Sequence, residues 1–292
     1  MRARAAVCVV LGAALCVLAA FSPAHGSAVP RRGFLPWLAT HKLQSASIWA
    51  VGDAADGSSQ AQVMADRIVR AKPTIFLYLG DVYADGTLPD FQTHYAPLYG
   101  RLTRITGPTP GNHDSRNYAS GYVRYWHDVL QGPVPAFYSF RVAGWQILSL
   151  DSELRHDPAS PQVQWLRRQV RAPGTCRIAF WHRPRYSAGT HHGDQLDVAP
   201  FWDVLAQHAV LVLNGHEHDL QRLAPRNGIT ELVAGAGGSE LYPLQSGYKG
   251  LVFGDDHDQG AVHLKLTVGR ARYSFVLADG RVVDSGAVRC RH

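Results

Sequence analysis

Five short polar clusters in the sequence carry side chains that can bind metal ions. They are Gly52-Asp53, Gly80-Asp81, Gly111-Asn112-His113-Asp114, Trp181-His182 and Gly215-His216-Glu217-His218. This mixture of groups suits two adjacent divalent ions, because a carboxylate can bridge them while imidazole and amide ligands complete each shell. The clusters therefore predict a two-metal site built from Asp, Asn and His.

Such a site suits the hydrolysis of a phosphate ester. Two dications held by two carboxylates keep a net positive charge, which attracts phosphate and lowers the pKa of a bound water. The same charge stabilises the attacking and leaving oxygens of an in-line displacement. We therefore expect a phosphate-ester substrate.

Predicted β-strands lead into the clusters. Apolar, β-rich runs that end at or near a polar cluster are Ser47–Val51, Ile75–Leu79, Ile178–Trp181 and Val210–Leu213. Helical patterns lie between several of these runs, which predicts an α/β fold. Ligands bind at the carboxyl ends of strands in an open α/β sheet. If these strands are neighbours, we therefore expect the Asp and His side chains that follow them to lie at one rim.

Other elements complete one predicted domain. The sequence predicts helices at Ser58–Ala71 and Pro161–Arg171, a hairpin of Phe137–Arg141 with Trp145–Leu150, and paired strands near Ala261–Val268 and Ala271–Leu277. There is no internal repeat or low-complexity linker. We expect a single domain over residues 47–292, preceded by a lead-in over residues 27–46.

The composition is that of a globular protein. The chain has 292 residues, 46% apolar and 18% charged, which excludes collagen, coiled coil and bulk disorder. The formal net charge of +6 is spread along the chain without a basic run, so nucleic acid is not an expected partner. The oligomeric state is not predicted.

The first 26 residues have the pattern of a secretory signal peptide. Arg2 and Arg4 precede the apolar run Ala5–Phe21, and the small-residue site Ala24-His25-Gly26 follows. We expect cleavage, a secreted or extracytoplasmic protein, and no membrane span afterwards. The run is long for a signal core and short for a membrane span, so an uncleaved anchor is the alternative.

Two cysteines remain after such cleavage, Cys176 and Cys290. In an oxidising compartment they can form one disulfide, and the alternative is a buried thiol with a free thiol near the end of the chain. No further cysteine is left for a thiolate metal site, so the metal ligands must be His, Asp, Asn or Tyr.

In this order the five clusters resemble the calcineurin-like metallophosphoesterase superfamily, on its purple acid phosphatase-like side. The resemblance covers about residues 47–240, and Gly-Asn-His-Asp together with Gly-His-x-His is its specific part. It implies a four-layer α-β-β-α sandwich of two mixed sheets.

The resemblance also implies residue roles. The implied ligands are Asp81 as the bridge, Asp53 and His218 on one ion, and Asn112, His182 and His216 on the other. His113 would contact the substrate phosphate or protonate the leaving group, and Asp114 would orient its ring. The nucleophile would be a metal-bound hydroxide.

Tyr83 departs from the family pattern. The purple acid phosphatase branch has an iron-binding Tyr three residues after the second Asp, where this chain has Ala84. Either the loop is one residue shorter and Tyr83 still reaches the metal, or this ligand is absent. Without a phenolate, Mn, Zn or iron(II) suits the site better than iron(III). The metal therefore remains Fe, Mn or Zn.

Three further residues near the clusters have open roles. His191 and His192 either reach the substrate phosphate from a loop or belong to a solvated polar loop. Glu217 lies between two implied ligands, and we expect it to point away from the metals without a role.

The expected function is an exported dimetal phosphoesterase, a phosphomonoesterase of the acid phosphatase type. One alternative is a phosphodiesterase with the same metal site. The other is a catalytically silent protein that binds metal or phosphate ligands.

Overall fold

The computed structural model describes residues 43–290. The predicted signal peptide and most of the lead-in lie outside these residues. The first strand begins at Ser45, slightly before the predicted start of the domain at residue 47. The boundaries of the single domain stay a prediction.

The strands of the described region follow one another along the chain from β1 to β13. They are β1 (Ser45–Val51), β2 (Ile75–Tyr78), β3 (Thr106–Pro108), β4 (Tyr138–Val142), β5 (Trp145–Ser149), β6 (Cys176–Phe180), β7 (Leu211–Asn214), β8 (Leu220–Leu223), β9 (Thr230–Ala234), β10 (Leu251–Asp255), β11 (Gly260–Thr267), β12 (Arg270–Leu277) and β13 (Val282–Arg289).

These strands form two mixed sheets. Sheet one has the order β13-β12-β11-β1-β2-β3, and sheet two has the order β10-β8-β9-β7-β6-β5-β4. In sheet one β1, β2 and β3 are parallel neighbours, and in sheet two β5, β6, β7 and β9 are parallel neighbours. The remaining pairs are antiparallel, including the predicted β4–β5 hairpin.

Helices cover the outer faces of both sheets. They are α1 (Ser59–Arg70), α2 (Leu88–Asp90), α3 (Ala96–Tyr99), α4 (Asn112–Arg116), α5 (Arg124–Leu130), α6 (Pro161–Gln169) and α7 (Ala199–Leu205). Single turns of π-helix at Phe91–Tyr95 and Tyr118–Val123 and a 3-10 helix at Gly100–Ile105 lie among them. Ser58 and Ser160 cap α1 and α6, where their side chains accept backbone N–H groups.

Strand periodicity explains the layers. In β1, Ile48 and Ala50 face the core between the sheets, whereas Trp49 and Val51 face the core under the helices of sheet one. In sheet two, Ile178 belongs to the same central core. Strands buried on both faces are continuously apolar, which is why the sequence indicates them clearly.

Each outer core joins one sheet to its helices. Met64 and Ile68 of α1 pack on sheet one with Trp126 of α5, and Leu166 of α6 and Trp202 of α7 pack on sheet two. The result is the predicted four-layer α-β-β-α sandwich, and the fold prediction is confirmed.

A disulfide connects the two sheets. Cys176 begins β6 in sheet two and Cys290 follows β13 in sheet one, with their Cα atoms 5.0 Å apart.

Across residues 43–290, no helix has both the length and the apolar character needed to cross a bilayer.

Candidate metal centre

Tight turns after the strands position the candidate ligands. Asp53 follows β1, Asp81 follows β2 and His216 follows β7, with left-handed φ angles of 55°, 67° and 73°. A non-glycine residue with a left-handed backbone conformation destabilises the fold by about 1–3 kcal/mol, and such residues concentrate at functional sites. These turns therefore lower the stability of the fold while they direct the three side chains toward one place.

The candidate ligands lie on the adjacent rims of two sheets. Asp53 and Asp81 belong to sheet one, while His182 and His216 belong to sheet two. The rims contact each other directly, since the backbone N–H of His216 donates to Oδ2 of Asp53 at 2.8 Å. The expectation of one rim applied to strands that are neighbours in one sheet. Here the strands belong to two packed sheets, and their carboxyl ends lie next to each other.

The first donor cluster surrounds Nε2 of His182. Asn112 Oδ1 and His216 Nδ1 each lie 3.1 Å from this nitrogen, and Asp81 Oδ2 lies 3.3 Å from it. Ligand atoms of Asp81, His182 and His216 all fall within 4.8 Å of one another, and all three residues are buried. Such crowding of electron-pair donors suits a metal ion.

The hydrogen bonds behind His182 set its tautomer. Its Nδ1 lies 2.8 Å from the carbonyl oxygen of Leu79, which can only accept, so Nδ1 carries a proton and the neutral ring would offer the lone pair of Nε2 to a metal ion. Burial opposes protonation of His182, but the carboxylates of Asp81 and Asp53 outweigh it and raise its pKa to about 10. The site thus favours a positive charge at Nε2, and a metal cation would satisfy it.

A second donor cluster surrounds the hydroxyl of Tyr83. This oxygen lies 2.7 Å from His218 Nε2, 3.0 Å from Asp53 Oδ1 and 3.5 Å from Asp81 Oδ2. His218 Nδ1 lies 2.7 Å from the carbonyl oxygen of Glu240, so Nε2 again faces the other donors. Asp81 Oδ2 therefore borders both clusters, as a bridging ligand must.

Tyr83 lies among the donors although it comes one residue earlier than the family pattern. Its hydroxyl is within reach of the other candidate ligands, as the shorter-loop alternative requires. Burial and the carboxylates of Asp53 and Asp81 raise the pKa of Tyr83, so the neutral phenol donates to Asp53. A metal cation bound at this oxygen would favour loss of that proton, and iron(III) would do so most strongly.

Both clusters fit a pair of metal ions. Buried carboxylates need compensating positive charge, and each cluster joins at least one carboxylate oxygen to imidazole nitrogen. Gly111 makes room at the shared ligand, because a Cβ atom there would stand 2.1 Å from Oδ1 of Asp81.

His113 borders the centre from sheet one, and Asp114 has another task than the expected one. The Nδ1 atom of His113 pairs with the carbonyl oxygen of Ala84, and its Nε2 lies 4.0 Å from Asp81 Oδ2. Asp114 instead accepts backbone N–H groups from Asp81, Val82 and Gly111 at 2.9, 3.1 and 2.9 Å.

The prediction that Asp114 orients the His113 ring is therefore wrong. Asp114 is buried below the rim, where burial and the nearby Asp81 raise its pKa to about 8. Its three backbone bonds join the Asp81 turn to the start of α4. The family resemblance implied this pair, but the two side chains bond different partners, backbone N–H groups for Asp114 and the carbonyl oxygen of Ala84 for His113.

His191 and His192 stand at the edge of the metal centre. The His192 ring stacks on His216 with a centroid distance of 3.9 Å, and His191 stacks on Tyr242 at 4.1 Å. Tyr242 in turn stacks on His218 at 4.0 Å. Both histidines remain exposed to solvent, so they lie on a solvated loop that borders the candidate ligands. Their contact with a substrate phosphate stays a prediction.

Sequence reasoning missed several residues around the site. Glu240 and Leu79 contribute only carbonyl oxygens, and Tyr242 contributes a ring from a loop without a motif. Glu217, which we expected to have no role, bonds the loop that carries His192. Only its position between two ligands could have suggested this.

Comparisons with known proteins agree with this geometry. The sequence profile of the family "Calcineurin-like phosphoesterase" matches residues 46–220, more than half of the chain. Tartrate-resistant acid phosphatase type 5 of Sus scrofa is 26% identical over 132 residues, or 42% of this chain. The match spans only 39% of the length of that relative.

Two solved structures share the fold. A purple acid phosphatase, PPD1, from yellow lupin (Lupinus luteus) seeds aligns with a TM-score of 0.69 and 16% identity, over 85% of this chain and 54% of its own. GAP50, the anchor in the inner membrane complex of Plasmodium, aligns with a TM-score of 0.70 and 16% identity, over 85% of this chain and 90% of its own. With the profile match and the two donor clusters together, the chain belongs to the calcineurin-like phosphoesterase family.

Proposed function

We propose that this chain is an exported, metal-dependent phosphomonoesterase of the acid phosphatase type. The observation that carries the proposal is the position of Asp81 Oδ2, which is 3.3 Å from a donor of one cluster and 3.5 Å from a donor of the other. Family membership and the acid phosphatase relative support the same chemistry.

We propose the ligands of each ion from the two donor clusters. Asp53, Tyr83 and His218 would hold one ion, Asn112, His182 and His216 the other, and Asp81 both. Metal ions in such a pair activate water for attack and neutralise the charge of a bound phosphate. We propose Fe, Mn or Zn as the ions.

His113 is the proposed proton donor to the leaving oxygen. Because its Nδ1 donates to the carbonyl of Ala84, its Nε2 is the nitrogen that faces the centre. The side chain is 23% exposed, so Nε2 can contact both a substrate and bulk water. It can therefore release a proton to a leaving alcohol and regain one afterwards.

His191 and His192 are the proposed contacts for the terminal phosphate oxygens. A monoester carries more charge at that end than a diester, and it needs additional hydrogen-bond donors there. The His192 ring stacks on His216, and the His191 ring stacks on Tyr242, which in turn stacks on His218. Both histidines are exposed to solvent.

Export is supported by two independent features. The apolar run Ala5–Phe21 with its flanking residues has the pattern of a signal peptide. The Cys176–Cys290 disulfide is of the kind that persists in oxidising compartments.

The test compares p-nitrophenyl phosphate with its bis-ester on purified protein loaded with Fe, Mn or Zn. We expect the higher kcat/KM for the monoester. Faster hydrolysis of the diester would replace our proposal with a phosphodiesterase. Protein that binds two metal ions per chain yet hydrolyses no phosphoester in a broad panel would be a silent binding protein.

A further inference from the structure

The Glu217 side chain is fully buried beside the two donor clusters. Within residues 43–290, it forms no hydrogen bond with the donor atoms of either cluster. It lies between His216 and His218 in the turn after β7 and has 0% exposure. Its Oε1 accepts the backbone N–H groups of His192 at 2.8 Å and Gly193 at 2.6 Å. Bonds from a carboxylate to backbone N–H groups are about twice as strong as neutral ones.

The loop is shaped around this carboxylate. A Cβ atom at Gly189 would stand 2.2 Å from Cδ of Glu217, so the chain at this residue passes directly over the acid group. The other oxygen, Oε2, is buried and has no hydrogen-bond partner within residues 43–290. Burying a carboxylate this way costs free energy, and the two N–H bonds on Oε1 offset that cost.

The Glu217 hydrogen bonds connect the turn after β7, which carries His216 and His218, directly to the loop of residues 189–193. His216 and Glu217 are neighbours in the chain, and so are His192 and Gly193. The His192 ring stacks on the His216 ring, while the Glu217 carboxylate holds the backbone of the same loop. Two contacts of different kinds thus fix the position and the orientation of His192.

We propose that Glu217 is a positioning residue that holds the loop of His191 and His192 against the metal centre. The expected effect on catalysis rests on the proposed function, because it assumes that these histidines bind phosphate. The anchoring itself is independent of that function.

Two variants test the proposal in the metal-loaded, full-length protein. Glu217→Ala removes both bonds, and we expect KM for p-nitrophenyl phosphate and Kd for inorganic phosphate to rise by roughly 10- to 100-fold. We expect kcat to change less, and the metal content per chain to stay that of the wild type. Glu217→Gln keeps an acceptor oxygen without its charge, so it should give an intermediate rise and also serves if the Ala variant does not fold.

A double-mutant cycle shows through which residues Glu217 acts. In a His191→Ala/His192→Ala background, Glu217→Ala should raise the phosphate Kd by less than twofold, because the groups it positions are gone. An equal rise in both backgrounds would overturn the proposal. Loss of metal in Glu217→Ala would also overturn it, since the residue would then support the ligand turn.

Hydrogen exchange separates this inference from the proposed function. The amides of His192 and Gly193 should exchange at least 10-fold faster in Glu217→Ala than in the wild type, whether or not the protein hydrolyses phosphate. Unchanged exchange at these amides would refute the anchor. If the wild type has no activity but this exchange accelerates, only the proposed function fails.

Glu231 provides a matched control. Glu231 of β9 is also buried. It accepts hydrogen bonds from the backbone N–H groups of Arg185 at 2.7 Å and Tyr186 at 3.0 Å, two residues that precede the loop of residues 189–193. Glu231→Ala should accelerate exchange at residues 185 and 186 and leave the phosphate Kd within twofold of the wild type. A rise as large as that of Glu217→Ala would make the effect one of general loosening and would overturn a specific role.

Discussion

Sheet one and sheet two contribute different atoms to the proposed metal centre. The turns and loops after β1, β2 and β3 supply oxygen donors, and those after β6 and β7 supply nitrogen donors. The oxygen donors are Asp53, Asp81, Tyr83 and Asn112, and the nitrogen donors are His182, His216 and His218.

This division shows why the centre depends on the packing of the whole fold. Carboxylates alone leave buried negative charge, and imidazoles alone bind weakly to hard trivalent ions. Neither sheet could hold the proposed pair of ions by itself. The central core, which includes Ile48 of sheet one and Ile178 of sheet two, is therefore also what brings the two kinds of donor together.

The largest effect is expected where the two sheets share a ligand. Asp81→Asn removes the negative charge that borders both clusters while it keeps the shape of the side chain. We expect loss of at least one metal ion per chain by elemental analysis. We also expect kcat/KM to fall by more than the roughly 10²–10³-fold that removal of one electrostatic stabiliser costs. A variant with full metal content and activity would contradict the bridging role.

His113 is the exception on sheet one, because it is a nitrogen group that we leave outside the metal shell. His113→Ala should keep both metal ions and lose roughly 10²- to 10⁴-fold in kcat, as expected for an acid–base residue. His94→Ala is a control for the effect of loosening this loop, because the His94 ring bonds the backbone of the same loop at Tyr83. Metal loss in His113→Ala would place the residue among the ligands instead.

A variant of Tyr83 tests whether sheet one supplies a phenolate ligand in addition to carboxylate and amide oxygens. If it does, the iron-loaded protein has a visible charge-transfer band, and Tyr83→Phe removes the band and weakens metal retention by at least roughly 10-fold. Tyr242→Phe, whose ring can still stack on His218, should keep the band. A colourless, active iron enzyme would exclude the phenolate ligand.

The smallest effect on activity is expected at the covalent link between the sheets. Cys290→Ser opens the bridge to Cys176, which spans 114 residues, and should lower the free energy of unfolding by about 2–5 kcal/mol. Metal content and kcat at 25 °C should match the wild type, because the noncovalent core still holds the sheets together. A parallel loss of metal would mean that the bridge is needed to align the rims.

The sequence predicted the buried parallel strands well because continuous apolar runs mark them. The β1 and β2 runs were expected close to their observed bounds, and so was α1 with its Ser58 cap. The short helical segments between Leu88 and Leu130 were not expected, since mixed aromatic and polar residues there follow no single period. The edge strand β13 was missed because its residues are only half buried.

Within the site, motif residues could be predicted and their partners could not. The order of Asp, Asn and His residues indicated a metal pair, yet Asp114 turned out to bond backbone rather than the neighbouring ring of His113. Glu217 was dismissed for a related reason. Adjacency in sequence says little about which way a side chain leaves a turn.

By itself, the sequence determined which donor groups exist, in what order they follow apolar strands, and which two cysteines of residues 43–290 can pair. These are local properties, since they depend on side-chain chemistry and on the period of each strand. Only the tertiary structure decided that the donors lie on two facing sheets, that Tyr83 reaches the second cluster, and that Glu217 holds the loop of His192. Those contacts join residues far apart in the chain, and their distances are set by the packing of two sheets around a common core.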